Sequence, residues 1–228
     1  MIRLIKLICV VAIVSVTNSA TAQFSDNFDS YATGQGLHGF NGWKGWDNNP
    51  ALSAVTSSAQ ALSAPNSVAI APTSDLVNEM GNPTSGSWEV LVDQYIPSGQ
   101  TGDTYFIMQN VYNDGGPYFW SIQLLFSGIG GTGASGPGFL TDDMDAAVSE
   151  PIVYDQWVPI RIVIDLDNDT CEQYYNGTLL TTGQAWTTRG TAGSSAAIGA
   201  IDLYSNGGST VFYDNVIPEI LNVKVCTF

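Results

Sequence analysis

The sequence predicts an all-β protein folded as a two-sheet antiparallel sandwich, and three observations predict it. Apolar residues recur at every second position, as in Val158, Ile160, Ile162, Ile164 and Leu166, the period that gathers one set of side chains on a single strand face. Such segments alternate with turn chemistry, in IPSGQTGD, YNDGGP, SGIGGTGASGPG and SNGGS, where Gly, Pro, Asn and Asp reverse the chain. Beyond the first 22 residues no stretch carries the 3.6-residue period of a helix. Sheets that are apolar on one face must bury it against another layer, and many short strands with such turns do so as a sandwich.

The elements follow in chain order. Arg3 and Lys6 precede an apolar run over 7–16 and then Ala20-Thr21-Ala22, the pattern of a signal peptide cleaved after Ala22. The run is well short of the roughly 20 residues that span a bilayer, and no second long apolar run follows. We therefore expect residues 1–22 to be a leader and 23–228 a single secreted domain, extracellular or periplasmic, with no membrane insertion after cleavage. Extended segments are predicted at 51–57, 67–71, 87–96, 103–112, 117–126, 156–166, 170–175, 196–204 and 210–216. Asp167, Asn168, Asp169 and Thr170 turn the chain between two of these, and Asn176-Gly177 turns it again. The glycine-rich stretch 127–138 reads as a loop, of the kind that rims a site.

Charge excludes some partners. The chain carries 21 acids against six Lys and Arg; the leader holds two of those cations and none of the acids, which leaves 4 − 21 = −17 on the rest. Nucleic acid is excluded as a partner, because phosphate binding needs clustered cations, and an anionic bilayer would repel the chain. Cys9 departs with the leader, leaving Cys171 and Cys226 in an oxidising compartment. A disulfide between them would tie the 157–175 hairpin to the C-terminal strand; two separate thiols are the alternative. His38 is the only histidine, so histidine-rich zinc sites are excluded and a Ser-His-Asp triad depends on a residue that sits in a GQGLHGFNG loop.

The order of motifs is similar to that of a known group. FSDNFDSYATGQGL, GWKGWDNNP, NSVAI, SGSWEVLVDQYIPSG, QWVPIRIVIDLDNDT, YYNG and a closing VFYDNV resemble secreted bacterial proteins of the concanavalin A-like lectin/glucanase superfamily, in its LamG-like branch. The resemblance covers nearly all of the chain after the leader. It implies a jelly roll with first and last strands side by side and a sheet face that in many relatives binds polysaccharide. In hydrolase members a strand carries acids at alternate positions, E-x-D-x-E; the nearest match here is Glu89-Val-Leu-Val-Asp93. Glu89 and Asp93 share a strand face, but Leu91 replaces the middle acid and the shorter Asp93 stands where the pattern has Glu. That weakens the separation and pKa tuning a retaining pair needs, and solvent-facing acids are the alternative reading.

Two further proposals concern ligands. Asp165, Asp167 and Asp169 alternate as in a calcium loop, but Thr170 and Asn176 stand where that loop needs Gly and Glu, so DLDNDT reads as a turn. Where the resemblance brings the chain ends together, Asp26, Asp29 and Asp214 are candidate ligands for structural Ca2+. Sugar binding needs a flat aromatic surface and planar polar groups; Tyr105, Gln109, Trp120, Gln123, Trp157 and Arg161 offer these inside or beside apolar strands. Trp120 and Gln123 are an odd step apart, so a regular strand admits only one of them to the site. Trp43 and Trp46 are expected to fold over one end of the sandwich. The reading that follows is a non-catalytic, lectin-like protein whose partner is a polysaccharide or glycoconjugate. A glycoside hydrolase or polysaccharide lyase using Glu89 and Asp93, or a tyrosine with Arg161, is the alternative, and a structural surface or matrix module is a third.

Overall fold

A computed structural model describes residues 24–187 and 195–221; the expected leader and Cys226 lie outside the described residues, and with them the expected cleavage and the choice between a disulfide and two separate thiols. The strands form two antiparallel seven-stranded sheets. The first runs β1 (Trp43–Gly45), β4 (Asp75–Glu79), β13 (Ala200–Asn206), β6 (Asp103–Val111), β7 (Phe119–Ser127), β8 (Phe139–Asp142) and β9 (Asp145–Pro151). The second runs β12 (Thr178–Gln184), β11 (Thr170–Tyr175), β10 (Trp157–Asp165), β5 (Ser87–Tyr95), β14 (Val211–Ile220), β3 (Ser67–Ile70) and β2 (Val55–Ser57). Two short 3-10 turns, Trp46–Asn48 and Pro50–Leu52, follow β1. No helix among the described residues is long and apolar enough to cross a membrane.

Alternation builds the core. On β5 the residues Trp88, Val90, Val92 and Gln94 are buried while Glu89, Leu91, Asp93 and Tyr95 face outward. On β10 the residues Val158, Ile160, Ile162 and Ile164 are buried in the same way. Across the layer lie Leu76, Phe106, Met108, Ile122, Leu124 and Leu203 of the first sheet, all in one apolar cluster. Burying each such side chain contributes about 1.5–3 kcal/mol. Polar groups inside this layer find partners: Gln173 Nε2 on β11 donates across it to Asp142 Oδ2 on β8 at 3.0 Å, and within the second sheet Gln94 Nε2 on β5 donates to the Tyr213 hydroxyl on β14 at 2.7 Å.

The turns behave as their residues dictate. Asp165 Oδ1 accepts from the Asp167 and Asn168 amides at 3.1 and 3.0 Å, and Asp169 accepts from the Thr187 amide and hydroxyl at 2.8 and 2.7 Å. DLDNDT is thus a hairpin turn that also ties down the segment after β12. Asn176 and Gly177 both adopt positive φ, 49° and 78°, which a two-residue hairpin loop of the I′ kind requires. At the chain ends, the Asp26 amide donates to the Val216 carbonyl and the Val216 amide to the Asp26 carbonyl, so the opening segment lies against the last strand.

Strands β1, β4, β8, β9 and β12 were not predicted. Most are short, and acids or threonines interrupt their apolar pattern, as in DLVNE and FLTD; their pairing comes from neighbours distant in sequence. The predicted 196–204 strand begins at Ala200, and the predicted 210–216 strand continues to Ile220.

Candidate functional site

The outer face of the first sheet holds a recess of about 230 Å3. Because Leu76, Leu203, Phe106 and Ile122 point inward, their alternating neighbours point out. Register then aligns these in rows. Asp202 stands opposite Val77 and Ile107, and Tyr204 opposite Asp75 and Tyr105. Ile107 stands opposite Gln123. Asp75, Asp202, Tyr204, Tyr105 and Ile107 therefore make the floor, with Trp46, Trp120 and Gln123 at its side.

Trp120 and Gln123 both line this recess, which corrects the expectation that only one could. Met108 pairs with Ile122 but the next residue, Gln109, pairs with Trp120. Ser121 is thus an extra residue, a bulge that resets the alternation. It is fully buried, and its hydroxyl donates to the Trp186 carbonyl at 2.7 Å.

Trp46 reaches the recess from the 3-10 turn after β1. A Cβ on Gly45 would lie 2.0 Å from the Asn49 carbonyl oxygen, so only glycine allows the chain to double back here. Asp47 and Asn48 take positive φ, 53° and 57°, a conformation that costs non-glycine residues energy and persists where surrounding contacts hold it. Those contacts are present. The Asp47 carboxylate accepts from the Gly115 amide at 2.9 Å and from the Tyr118 hydroxyl, and the Asp47 amide donates to the Tyr112 hydroxyl at 3.0 Å. Trp46 packs on Tyr118 and Tyr112 with ring centroids 4.6 and 5.1 Å apart, and Tyr118 continues to Trp120 at 6.2 Å. On the other side Tyr105 and Tyr204 stack at 5.7 Å. His38 serves this turn as well, since its Nδ1 accepts from the Gly45 amide at 3.3 Å.

The floor contains a carboxylate pair that the sequence reading missed. Asp75 on β4 and Asp202 on β13 are in hydrogen-bond contact, and burial pushes Asp75 up to about 6, the Asp202 hydrogen bond opposing and the Asp47 charge adding to the rise. Burial, reinforced by the charge of Asp75, holds Asp202 well above the usual carboxylate range. Asp202 is 2% exposed, and neither its Oδ1 nor the Oδ1 of Asp75 finds a hydrogen-bond donor. The pair therefore either shares a proton or takes a donor from a ligand. Burial also raises the pKa of Tyr105, with the Asp143 and Asp103 charges contributing. The rule that flagged Gln109 and Gln123, a polar residue inside an apolar strand, applies equally to Asp202 in AIDLY.

The other candidate residues lie elsewhere. Gln109 shares the recess face by register but is fully buried, with both amide atoms unpartnered. Trp157 and Arg161 belong to β10 on the outer face of the opposite sheet, so they join no site with Tyr105. There Arg161 Nε is paired with Glu89 and its guanidinium lies 4.6 Å from the Tyr174 ring centroid. Trp157 packs on Tyr95 at 5.6 Å. Asp93 accepts from the Asn215 side chain at 3.0 Å. Glu89 and Asp93 are therefore engaged on a face away from the recess. Cys171 is buried on β11.

Of the candidate calcium ligands, Asp26 does not fit. Its Oδ1 accepts from the Phe28 amide, and its Oδ2 from Tyr31, Asn41 and the Trp43 indole at 2.7, 3.1 and 3.0 Å. Asp29 and Asp214 do come together over residues 62–66: Asp29 accepts from the Asn66 amide, and Asp214 from the Leu62 and Ser63 amides. Burial raises the Asp214 pKa, the three amides oppose it, and the Asp29 charge adds to the rise, so a cation there would relieve repulsion. No group of three or more His, Cys, Asp or Glu poised for a metal occurs among the described residues.

No family model matches the chain, and no curated protein matches it. Solved structures do. A sialidase aligns at 9% identity and a TM-score of 0.57, over 87% of this chain and 18% of its own. The cellulose-induced protein Cip1 aligns at 14% identity and 0.51, over 88% of this chain and 98% of its own. A proposed glycosyl hydrolase from Parabacteroides distasonis aligns at 12% identity and 0.51, over 82% and 93%. The class is therefore a two-sheet antiparallel β-sandwich. At these identities the likeness is one of fold, and this chain spans under a fifth of the sialidase.

Proposed function

We propose that this is an exported protein that binds a polysaccharide or glycoconjugate in the recess of the first sheet without cleaving it. The observation that carries the reading is the recess itself, which brings the rings of Trp46, Trp120, Tyr105 and Tyr204 together with the polar groups of Gln123, Asp75 and Asp202. Aromatic faces take the apolar side of a sugar ring, and amide and carboxylate groups take its hydroxyls. Likeness in fold to a sialidase and a proposed glycosyl hydrolase agrees with a carbohydrate ligand.

A hydrolase is the second reading, because burial lifts Asp75 to about 6, the range of a general acid. Spacing argues against it. Carboxyls that hydrolyse a glycosidic bond stand about 5–5.5 Å apart for retention, and about 6.5–9.5 Å for inversion, whereas Asp75 and Asp202 touch. A glycan array paired with reducing-sugar release separates the readings: binding without product supports ours, and product formation on any hit overturns it. We further propose that structural Ca2+, where bound, is held by Asp29 and Asp214 and leaves Asp26 aside; a chelator then lowers Tm while the Asp214→Asn variant does not respond.

A further inference from the structure

Resting on that reading, we propose that the glycan this recess takes is a cationic one, an amino sugar whose ammonium group sits against Asp75 and Asp202 while its ring lies on the aromatic wall. Three independent features converge on it. The first is the balance of charge. Among the described residues the recess is lined by two carboxylates and by no Lys, Arg or His. Of the described cations, Lys44 is held by Glu79 and Asp114 and lies over the Tyr112 ring, and Arg161 is paired with Glu89 on the opposite sheet. Asp47, Asp103 and Asp143 add potential of the same sign from around the rim.

The second is unmet hydrogen bonding. Asp202 Oδ1 is buried beneath the recess with no donor, and so is Asp75 Oδ1. The Tyr204 hydroxyl next to them points its donor elsewhere, to Asn206 Oδ1 at 3.1 Å. A buried polar atom is ordinarily satisfied. An ammonium brings three donors and a compensating charge in one group. A hydroxyl brings one donor and no charge, and a uronate or sialate carboxylate brings further negative charge into a poorly solvated space.

The third is the wall. Tyr105 and Tyr204 are stacked, and Trp46 and Trp120 line the same recess; the negative face of an aromatic ring attracts a cation as well as the C–H face of a sugar. Electrostatics here selects among glycans that would stack equally well, because discrimination is a difference between affinities.

The test uses the secreted chain and four probes sharing or varying one charge: glucosamine oligosaccharide, its N-acetylated form, cello-oligosaccharide and oligomannuronate, titrated near pH 7 with tryptophan fluorescence and calorimetry. We expect the glucosamine oligomer to bind at least ~10-fold more tightly than either neutral probe, with mannuronate weakest, and the preference to shrink with added salt. In the Asp75→Asn/Asp202→Asn variant, checked for an intact melting transition, the preference for the glucosamine oligomer over the neutral probes collapses to within ~2-fold. Asp202→Asn alone supplies the same readout should the double variant not fold. Equal or tighter binding of the neutral or anionic probes, or a preference that survives these variants, overturns the inference and leaves the carbohydrate reading standing. Failure of all four probes to bind overturns both.

Discussion

The outer faces of the two sheets carry similar inventories of acids and aromatic rings and put them to opposite uses. On the second sheet Glu89 meets Arg161, Arg161 lies on Tyr174, Tyr174 donates to Glu172 at 2.7 Å, and Asp93 takes the Asn215 amide. Each group there has a partner from the protein. On the first sheet Asp75 and Asp202 have only each other, and Tyr105, Tyr204, Trp46 and Trp120 surround space. A closed network is a finished surface, whereas incomplete hydrogen bonding beside an aromatic hollow is an invitation to a ligand.

This contrast can be broken experimentally, and the largest effect is expected in binding. Trp120→Ala or Tyr105→Ala removes a stacking surface and should weaken glycan affinity by about tenfold or more, whereas Arg161→Ala should leave it unchanged in the same titration. Loss of binding in Arg161→Ala with an unaltered melting curve would return the site to the second sheet.

Next in size is the response to pH. Asp75 and Asp202 are raised in the folded state, so the native protein holds protons that the unfolded chain releases. Stability contributed by this pair is therefore present at low pH and falls as pH rises from about 4, through about 6 for Asp75 and through the raised range of Asp202. Replacing Asp202 with Asn removes the buried charge without changing shape; the variant should melt a few degrees higher than wild type at pH near 8, and the gap should close near pH 4. A gap that widens on acidification refutes the assignment of the pair.

The smallest effect belongs to the finished face. Glu89→Gln breaks a partly exposed ion pair and should cost about 1 kcal/mol or less in denaturant melts, with no change in glycan affinity. A loss of several kcal/mol would mean that the second face carries more of the fold than its geometry implies.

The legible part of this chain is what local chemistry determines. The β10–β11 hairpin, the DLDNDT and Asn176-Gly177 turns and the two-layer architecture all follow from neighbours in sequence. Alternation also separates inside from outside correctly for Glu89, Tyr105 and Arg161. What it cannot separate is one sheet's outside from the other's, and so Trp157 and Arg161 were grouped with Tyr105 although the core lies between them. The meeting of Asp75 with Asp202 was invisible for the same reason. They meet because β4 and β13 are adjacent, a pairing between distant segments that no local pattern encodes. Trp46 was read as an end cover together with Trp43; Trp43 is core and Trp46 is wall, because the turn between them, opened by Gly45, separates their directions.

The bulge at Ser121 has a consequence for how such a surface can change over time. Because the side assignment of every residue N-terminal to it on β7 depends on one supernumerary position, loss of that single codon would send Trp120 toward the interior and bring a neighbour out. Specificity on this face is accordingly exposed to changes in strand length as well as in residue identity. Among proteins of this architecture, a one-residue insertion or deletion in the strand would exchange one set of ligand-facing side chains for another in a single step, leaving the half of the strand nearer the β7–β8 loop, and the core beneath it, as they were.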